Sequence, residues 1–311
     1  PRRGGDAVTT VVGTPGTPGR VGAWIGAARL RTLPAAVAPV AVGVGCAHAG
    51  GAVAWGPAVA ALVGAILIQI GTNFANDVFD AEKGADTPDR KGPVRAVAAG
   101  LISAGAMKAA MIVTFALAVA VGGYLTAIGG WPIVAIGVAS IAAGVLYTGG
   151  PWPLGYHGLG DVFVMLFFGQ IAVGGTTYVA LGRVTALAMA LSVPVGAVAT
   201  AILVVNNLRD RDTDVRVGKR TLAVRWGRRF ALAEYAGLLI VAHAVPLALA
   251  ATGRPLLALG ALTAPLAWAR TRALARAVPG PAMNGLLAAT ATATTVLTAA
   301  TTTVATTVAT V

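Results

Sequence analysis

Residues 54–80 read AWGPAVAALVGAILIQIGTNFANDVFD, an apolar run of membrane-spanning length that ends in a polar face. A transmembrane helix needs about 20 mostly apolar residues, and no charged side chain occurs here before Asp77. On a helix with 3.6 residues per turn, an arc of about 100° contains the side chains of Asn73, Asn76, Asp77 and Asp80. Because ionisable groups are costly against lipid, we expect this face to point into a protein interior or an aqueous site.

The composition of the 311-residue chain excludes an ordinary soluble enzyme. Hydrophobic residues make up 57% of the sequence and charged residues only 11%, whereas soluble domains carry about 25% charged residues. We predict an all-α polytopic membrane protein with about nine transmembrane helices around a central cavity. The predicted spans are 28–48, 54–76, 105–124, 131–148, 160–180, 185–206, 231–250, 255–271 and 284–311. We expect residues 1–20 to form a flexible N-terminal tail and residues 21–311 to form a single transmembrane domain.

The charge distribution predicts how these spans are oriented. Lys and Arg number 23 against 11 acidic residues, which gives a net charge of +12. With the N-terminus in the cytoplasm, every basic residue except Arg183 and Arg254 falls on the cytoplasmic side, as the positive-inside rule requires. All the acidic residues fall on that side too. The ionic chemistry therefore concentrates at the cytoplasmic face, in motif loops 77–104 and 207–230, and no nucleic-acid partner is needed to explain the positive charge.

A second acidic constellation follows the sixth predicted span. Asp210 and Asp214 are four residues apart and stack on one helix face, with Asn206 or Asn207 one turn before them. In the first motif loop, Gly84 permits a turn that returns Asp86 toward the same site. Oxygen-rich clusters without histidine suit Mg²⁺, which proteins bind through a few carboxylates together with substrate phosphates. Neighbouring Lys and Arg side chains suit the remaining phosphate oxygens, so the two clusters predict a site for a magnesium-bound diphosphate with an isoprenoid tail.

These motifs resemble those of the UbiA-type intramembrane prenyltransferases, and in particular the branch that acts on 1,4-dihydroxy-2-naphthoate in menaquinone biosynthesis. Further matching segments are RLRTLP at 29–34, GPVR at 92–95, LYTGG at 146–150, GY at 155–156, GLGD at 158–161 and TLAVR at 221–225. The superfamily motif usually reads Asn, three residues, Asp, three residues, Asp. Here Asn76 and Asp80 match, whereas Gly84 holds the third position and the next acid is Asp86. This longer spacing resembles the naphthoate branch.

The resemblance implies transfer of a prenyl group to an aromatic acid, with Mg²⁺ as the cofactor that neutralises the leaving diphosphate. The implied metal ligands are Asn76, Asp77, Asp80, Asp86, Asn207, Asp210 and Asp214. The implied catalytic residues are Asp80, Asp210, Asp214, Tyr147 and Asp161. The implied substrate-binding residues are Asn73, Lys91, Arg95, Lys219, Arg220, Arg29 and Arg31. The expected partners are a polyprenyl diphosphate, an aromatic acid and the lipid of a bacterial plasma membrane, with the active site facing the cytoplasm.

Several alternatives stay open at this point. Another aromatic acceptor, such as 4-hydroxybenzoate or homogentisate, would share the magnesium chemistry and differ in the acceptor pocket. A transporter would place its charged sites near the bilayer midplane, whereas these carboxylates cluster at one membrane face. Single residues have structural alternatives as well, with Arg29 and Arg31 as topology anchors, Tyr147 as an interfacial aromatic side chain, and Asn73 as a partner that fixes Asp77.

Overall fold

The computed structural model describes residues 19–86, 91–280 and 282–290. The α-helices are α1 (Arg20–Ala28), α2 (Leu33–Ala49), α3 (Trp55–Glu82), α4 (Ala104–Gly129), α5 (Trp131–Leu146), α6 (Gly160–Val164), α7 (Ala172–Leu181), α8 (Ala186–Arg216), α9 (Leu222–Ala251) and α10 (Ala264–Arg276). Short 3₁₀ segments are Leu30–Thr32, Leu154–His157 and Pro255–Thr263, and a π-helical turn, Met165–Ile171, joins α6 to α7. Residues 283–290 are also helical, and the described residues contain no strand, so the predicted all-helical class is confirmed.

Within these ranges, six helical segments are long and apolar enough to cross a membrane. They are Arg20–Ala49, Trp55–Glu82, Ala104–Gly129, Gly160–Leu181, Ala186–Arg216 and Leu222–Ala251. Helix α5 is apolar but shorter. The predicted span 255–271 falls on a 3₁₀ segment and the start of α10, and the predicted span 284–311 continues past Thr290, outside the described residues. The helices support a multi-pass architecture, whereas the count of nine spans and the cytoplasmic N-terminus stay predictions.

Helices α3 and α8 carry the two acidic motifs at their C-terminal ends. Helix α3 packs mainly against α4, and α8 packs mainly against α9. Small residues allow this close approach, since a Cβ atom at Gly71 of α3 would come within 2.7 Å of the Phe115 ring of α4. Both motif helices extend past the end of their apolar runs, α3 to Glu82 and α8 to Arg216.

The N-terminal helix α1 is docked beside the first motif. Its Trp24 ring packs edge-on against Phe74 of α3, with ring centroids 5.8 Å apart. The chain then breaks at Arg29, whose φ of 52° places it in the left-handed region before α2 begins. The tail predicted for residues 1–20 lies almost wholly outside the described residues, and α1 starts at Arg20.

An apolar cavity of about 500 Å³ lies among helices α2–α5 and residues 163–179. Its few polar lining residues include Gln69 and Thr72, which lie on α3 before the first motif, and Tyr147 just after α5. The opposite end of the cavity is lined by Thr126, near the C-terminal end of α4, and by Ile133, near the N-terminal end of α5. The predicted central cavity is therefore present, and it extends from the motif end of α3 toward the other membrane face.

Candidate active site

Asp80, near the C-terminal end of α3, is the centre of a buried group of ionic side chains. Its exposure is only 1%, and its carboxylate contacts three side chains from other segments. The Tyr156 hydroxyl donates to Oδ1 at 3.0 Å, Lys219 Nζ lies 3.2 Å from the same oxygen, and Arg95 Nη2 lies 3.2 Å from Oδ2. We call Asp80, Asp86, Arg95, Tyr156 and Lys219 the ionic cluster.

Asp77, one turn before Asp80, fixes the course of the first motif loop. One of its carboxylate oxygens accepts the backbone N–H of Ala96 at 3.2 Å, and the other accepts that of Val97 at 2.9 Å. This pairing places the adjacent Arg95 over Asp80. In this structure both carboxylate oxygens of Asp77 anchor the loop.

Asp86 returns to the site across the turn that the sequence predicts. Gly84 adopts a left-handed φ of 65°, which a glycine reaches without steric cost. The Asp86 side chain is buried, and its Oδ1 lies 3.5 Å from Arg95 Nε. Arg95 thus faces two carboxylates from the two ends of the same turn.

The second motif is organised around a residue that the sequence analysis did not single out. Arg209 is 4% exposed and grips both oxygens of Asp210, with Nε 2.8 Å from Oδ1 and Nη2 2.6 Å from Oδ2. Its guanidinium also donates to Asn206 Oδ1 at 2.6 Å and to Asn284 Oδ1 at 2.8 Å. Arg209 therefore ties the end of α8 to the helix at residues 283–290.

The two motifs meet through Lys219. The chain turns after α8 at Gly218, which has φ 75°, and the Lys219 N–H donates to the Asp214 carbonyl at 2.9 Å. From there the Lys219 side chain reaches Asp80 of the first motif. Asp214 and Asn207 are both buried on the same part of α8. The sequence prediction that the two motifs face one site is consistent with this arrangement.

Tyr156, between α5 and α6, contacts the cationic side chains as well as Asp80. Lys83 Nζ lies 5.1 Å from the centroid of the Tyr156 ring, and Lys219 Nζ lies 4.7 Å from it. Burial, and after it the Asp80 carboxylate, raise the pKa of Tyr156, so the hydroxyl stays protonated and donates to Asp80. Burial lowers the pKa of Lys83, Asp80 opposes this change, and Lys219 adds to it.

Tyr147 and Asp161 are close neighbours beside the cavity. Tyr147 lines the cavity, and its hydroxyl packs against Gly160, where a Cβ atom would lie 2.8 Å from Oη. The following residue, Asp161, is 5% exposed, and neither of its carboxylate oxygens has a hydrogen-bond partner among the described residues. A buried carboxylate without hydrogen bonds is costly, which marks Asp161 as a residue that a ligand can satisfy.

Asn73 and Asn76 make structural contacts with different segments. The Asn73 amide donates to the Ala28 carbonyl at 3.0 Å and to Thr32 Oγ1 at 3.2 Å, so it fixes the junction between α1 and α2 rather than Asp77. Asn76 Oδ1 accepts the Thr148 hydroxyl at 2.9 Å and joins α3 to the turn after α5. The structure does not bring Asn73 into the ionic cluster.

The remaining predicted binding residues lie at the periphery. Arg29 and Arg31 lie in the α1–α2 junction, and the Arg31 side chain is exposed. The side chains of Lys91 and Arg220 are also exposed. Backbone groups of Lys91 and Arg220 nevertheless contact residues near the two motifs. The Lys91 carbonyl accepts Asn284 Nδ2 at 3.4 Å, and the Arg220 N–H donates to the Tyr156 carbonyl at 2.8 Å.

The donor atoms at the site are of the type that Mg²⁺ prefers, namely carboxylate and amide oxygens. Within the described ranges, no group of three or more Asp, Glu, His or Cys side chains is close enough to hold a metal ion. The carboxylates of Asp80, Asp86 and Asp210 are instead paired with Arg or Lys. The residues therefore match magnesium in the type of donor atom.

Sequence reasoning missed Arg209 and Asn284, and it gave Tyr156 no role. Adjacent residues on a helix do not face each other, so helical periodicity gave no sign of the Arg209–Asp210 pair. Tyr156 belongs to the matching segment 155–156, which marked the position without indicating its contact with Asp80. No motif precedes Asn284, whose contact depends on how the last described helix packs.

Comparison with known proteins identifies the family. The profile of the UbiA prenyltransferase family matches residues 36–285, which include both motifs. The chain belongs to this family. A 1,4-dihydroxy-2-naphthoate octaprenyltransferase from Mycobacterium tuberculosis is 41% identical over 244 residues, covering 78% of this chain and 83% of that protein. A protein of the same name from Escherichia coli is 39% identical over 227 residues, covering 71% of this chain and 74% of that protein.

Solved UbiA structures share the fold. A UbiA homologue from Archaeoglobus fulgidus, described as bound to DMAPP and Mg²⁺, gives a TM-score of 0.65 at 16% identity and covers 93% of this chain and 99% of its own. A UbiA homologue from Aeropyrum pernix K1 in its apo form gives a TM-score of 0.65 at 15% identity, covering 87% of this chain and 96% of its own. These similarities establish the helical architecture of the family for this chain.

Proposed function

We propose that this UbiA-family chain transfers a polyprenyl group from polyprenyl diphosphate to 1,4-dihydroxy-2-naphthoate, releasing diphosphate and CO₂ and giving the demethylmenaquinone skeleton. The observation that carries the proposal is that α3 presents the ionic cluster at Asp80 two turns beyond Thr72, which lines the apolar cavity. A charged headgroup and an apolar tail thus find adjacent sites. The naphthoate acceptor is supported by the Mycobacterium tuberculosis and Escherichia coli relatives, whose names specify it.

The diphosphate is held at the two acidic motifs. The proposed magnesium ligands are Asn76, Asp77, Asp80, Asp86, Asn207, Asp210 and Asp214. When bound, Mg²⁺ supplies positive charge that stabilises the leaving diphosphate. The donor type of these residues supports this role, as does the Archaeoglobus fulgidus homologue described as bound to Mg²⁺.

Basic residues of the ionic cluster bind the phosphate oxygens. Arg95 is 7% exposed, and its buried Nη1 has no hydrogen-bond partner among the described residues, so it retains a donor for a phosphate oxygen. Lys219, now paired with Asp80, would bind a phosphate oxygen if Asp80 took another partner. Lys91 and Arg220, both exposed, attract the anionic substrate from the solvent side.

The apolar cavity receives the prenyl tail and shields the reacting carbon. Its wall includes Ile68 of α3, Val119 of α4 and Ile141 of α5. Phe163 and Phe167, whose ring centroids lie 5.9 Å apart, cover the side next to Tyr147. These walls exclude water from the allylic cation until the electron-rich ring attacks it.

Tyr147 and Asp161 orient the acceptor. The unpaired carboxylate of Asp161 accepts a hydrogen bond from a ring hydroxyl, and Tyr147 positions the ring at the cavity edge. Arg29 and Arg31 are proposed to attract the aromatic carboxylate from the α1–α2 junction. The concentration of basic residues on the motif side supports a cytoplasmic active site in a bacterial plasma membrane.

Product analysis tests the proposed function. The protein is purified in detergent and incubated with Mg²⁺, a labelled prenyl diphosphate and one aromatic acid at a time. The acids are 1,4-dihydroxy-2-naphthoate, 4-hydroxybenzoate and homogentisate. We expect a decarboxylated prenyl naphthoquinol, recovered as the quinone after oxidation by air, and release of CO₂ only with the naphthoate. Efficient prenylation of another acid with no reaction of the naphthoate would overturn the acceptor assignment, and no transfer to any acid would overturn the reaction.

A further inference from the structure

The 3₁₀ segment Leu154–His157 bridges the two acidic motifs. Its backbone is fixed to the second motif loop, because the Tyr156 carbonyl accepts the Arg220 N–H at 2.8 Å and the His157 carbonyl accepts Arg225 Nη2 at 2.9 Å. The Tyr156 side chain of this segment reaches the first motif, where its hydroxyl donates to Asp80 Oδ1. One residue is therefore held by its main chain to one motif and by its side chain to the other.

The Tyr156 ring attracts one lysine from each motif loop. Lys83 follows α3 and Lys219 follows α8, and both ammonium groups lie within about 6 Å of the ring centroid, which is the range of cation–π attraction. Two such cations repel each other. Asp80 offsets part of this repulsion, and the Tyr156 ring attracts both ammonium groups without adding a formal negative charge, so their positive charge stays available to an anion.

Both lysines are also held at the edge of the site, not in the apolar cavity. Lys83 Nζ donates to the carbonyls of Thr148 at 2.6 Å and Gly150 at 3.1 Å. The Lys219 side chain is 14% exposed and lies against Asp80. When Asp80 exchanges Lys219 for another partner, the Tyr156 ring still retains the ammonium group nearby.

We propose that Tyr156 is a positioning residue whose ring holds Lys83 and Lys219 together so that both bind one diphosphate group at Asp80. This inference rests on the proposed function and adds Lys83 to the residues that bind the diphosphate. Tyr156 itself acts through the two lysines. Its ring is the essential part, and its hydroxyl contributes less.

Variants at Tyr156 separate the ring from the hydroxyl. Tyr156→Phe and Tyr156→Trp keep an aromatic face, whereas Tyr156→Leu removes it. The readouts are the KM for geranyl diphosphate, the KM for the naphthoate, kcat, and the Kd of inorganic pyrophosphate with Mg²⁺ by calorimetry. We expect Tyr156→Leu to raise the pyrophosphate Kd and the diphosphate KM about tenfold, with the naphthoate KM and kcat little changed. The Phe and Trp variants should stay within about threefold of wild type.

Tyr178 provides a matched control at the other end of the molecule. It is half-buried, and its hydroxyl donates to the Gly129 carbonyl at 2.9 Å, away from both motifs. Tyr178→Leu should leave the pyrophosphate Kd unchanged. An unchanged Kd in Tyr156→Leu would overturn the proposal, and so would an equal loss in Tyr156→Phe and Tyr156→Leu, because that result assigns the role to the hydroxyl.

Coupling to the lysines completes the test. Lys83→Ala and Lys219→Ala should each raise the pyrophosphate Kd, and adding Tyr156→Leu to Lys219→Ala should weaken binding less than the separate effects multiplied together. If Tyr156→Leu does not fold, the two lysine variants decide, since an unchanged Kd in either overturns the proposal.

Pyrophosphate binding needs neither the prenyl tail nor the aromatic acceptor. Wild-type protein that binds pyrophosphate but does not prenylate the naphthoate contradicts the proposed function alone.

Discussion

The two acidic motifs hold their carboxylates in different ways. Asp80 of the first motif meets Arg95, Tyr156 and Lys219, which come from three other segments of the chain. Asp210 of the second motif has both oxygens gripped by its immediate neighbour in sequence. The first motif is therefore assembled by tertiary structure, whereas the second is largely made within the end of one helix.

Because of this difference, Asp80 can lose one partner and keep others, whereas Asp210 depends on Arg209. In the first motif, Asp80 and Asp86 face Arg95 and Lys219, so removal of one cation leaves Asp80 with a second cation and a tyrosine hydroxyl. In the second motif, the ion pair of the Asp210 carboxylate is made with Arg209. Breaking a buried ion pair by removing one member is strongly destabilising, because the other charge stays buried. Activity and stability should therefore respond differently at the two motifs.

The largest expected effect is on turnover, in Asp80→Asn and Asp210→Asn. Each substitution removes a carboxylate that we assign to the diphosphate site, and we expect prenyl transfer to fall by at least about 100-fold. Asp210→Asn should also lower the thermal unfolding temperature in detergent, because Arg209 loses its charged partner, whereas Asp80→Asn should lower it less. Asp212→Asn, exposed on the same helix, is the control and should retain full turnover. Wild-type turnover in Asp80→Asn would refute the assignment.

Next in size is the effect of Arg209→Ala on stability. It leaves Asp210 buried without its ion pair and breaks the link to Asn284, so we expect a loss of about 3–5 kcal/mol in the free energy of unfolding. Arg95→Ala should cost clearly less, because Asp80 keeps Lys219 and Tyr156 as partners. Chemical unfolding in detergent measures both, with exposed Arg229→Ala as the reference. Equal losses in the Arg209 and Arg95 variants would contradict the contrast between the motifs.

The apolar pattern predicted the helices well where composition decides the structure. The predicted span 105–124 lies within α4, and the predicted span 185–206 lies within α8 except for its first residue, Thr185, which is the N-cap. The pattern failed where a helix continues through charged sequence. Helix α9 begins at Leu222 rather than near 231, and its first turns pass through Arg225 and Arg228 and a non-helical Gly227. Apolar periodicity detects contact with lipid, so it does not detect a helix that extends into water.

The site was predictable where it depends on helix periodicity and not where it depends on loops. The stripe containing Asp77 and Asp80, and the turn at Gly84, follow from spacing alone. The meeting of Tyr156 with Asp80 requires the segment between α5 and α6 to dock against the end of α3, which no local pattern records. Spacing also did not show that Asp77 pairs with backbone N–H groups, because a loop anchor and a metal ligand use the same residue type.

A smaller effect is expected from Asp77→Asn, and it distinguishes these two roles. The amide can accept only one of the two backbone hydrogen bonds from Ala96 and Val97, so we expect a loss of about 1–3 kcal/mol in stability. If Asp77 serves mainly as the loop anchor, the Mg²⁺ concentration for half-maximal activity stays the same while the diphosphate KM rises through displacement of Arg95. If it is a metal ligand, the Mg²⁺ requirement rises. Activity titrated with Mg²⁺ at saturating prenyl diphosphate separates the outcomes.

The smallest expected effect is that of Asn284→Ala. This change removes the contact of Arg209 with the helix at residues 283–290 and keeps its contacts within α8. Arg209 loses one acceptor but retains Asn206 and both oxygens of Asp210, so the cost should be about 1 kcal/mol in the free energy of unfolding. Turnover should stay within about threefold of wild type, because the Asp210 carboxylate is still fixed by its neighbour. A loss of stability as large as that of Arg209→Ala would show that the second motif, like the first, is built by tertiary contacts.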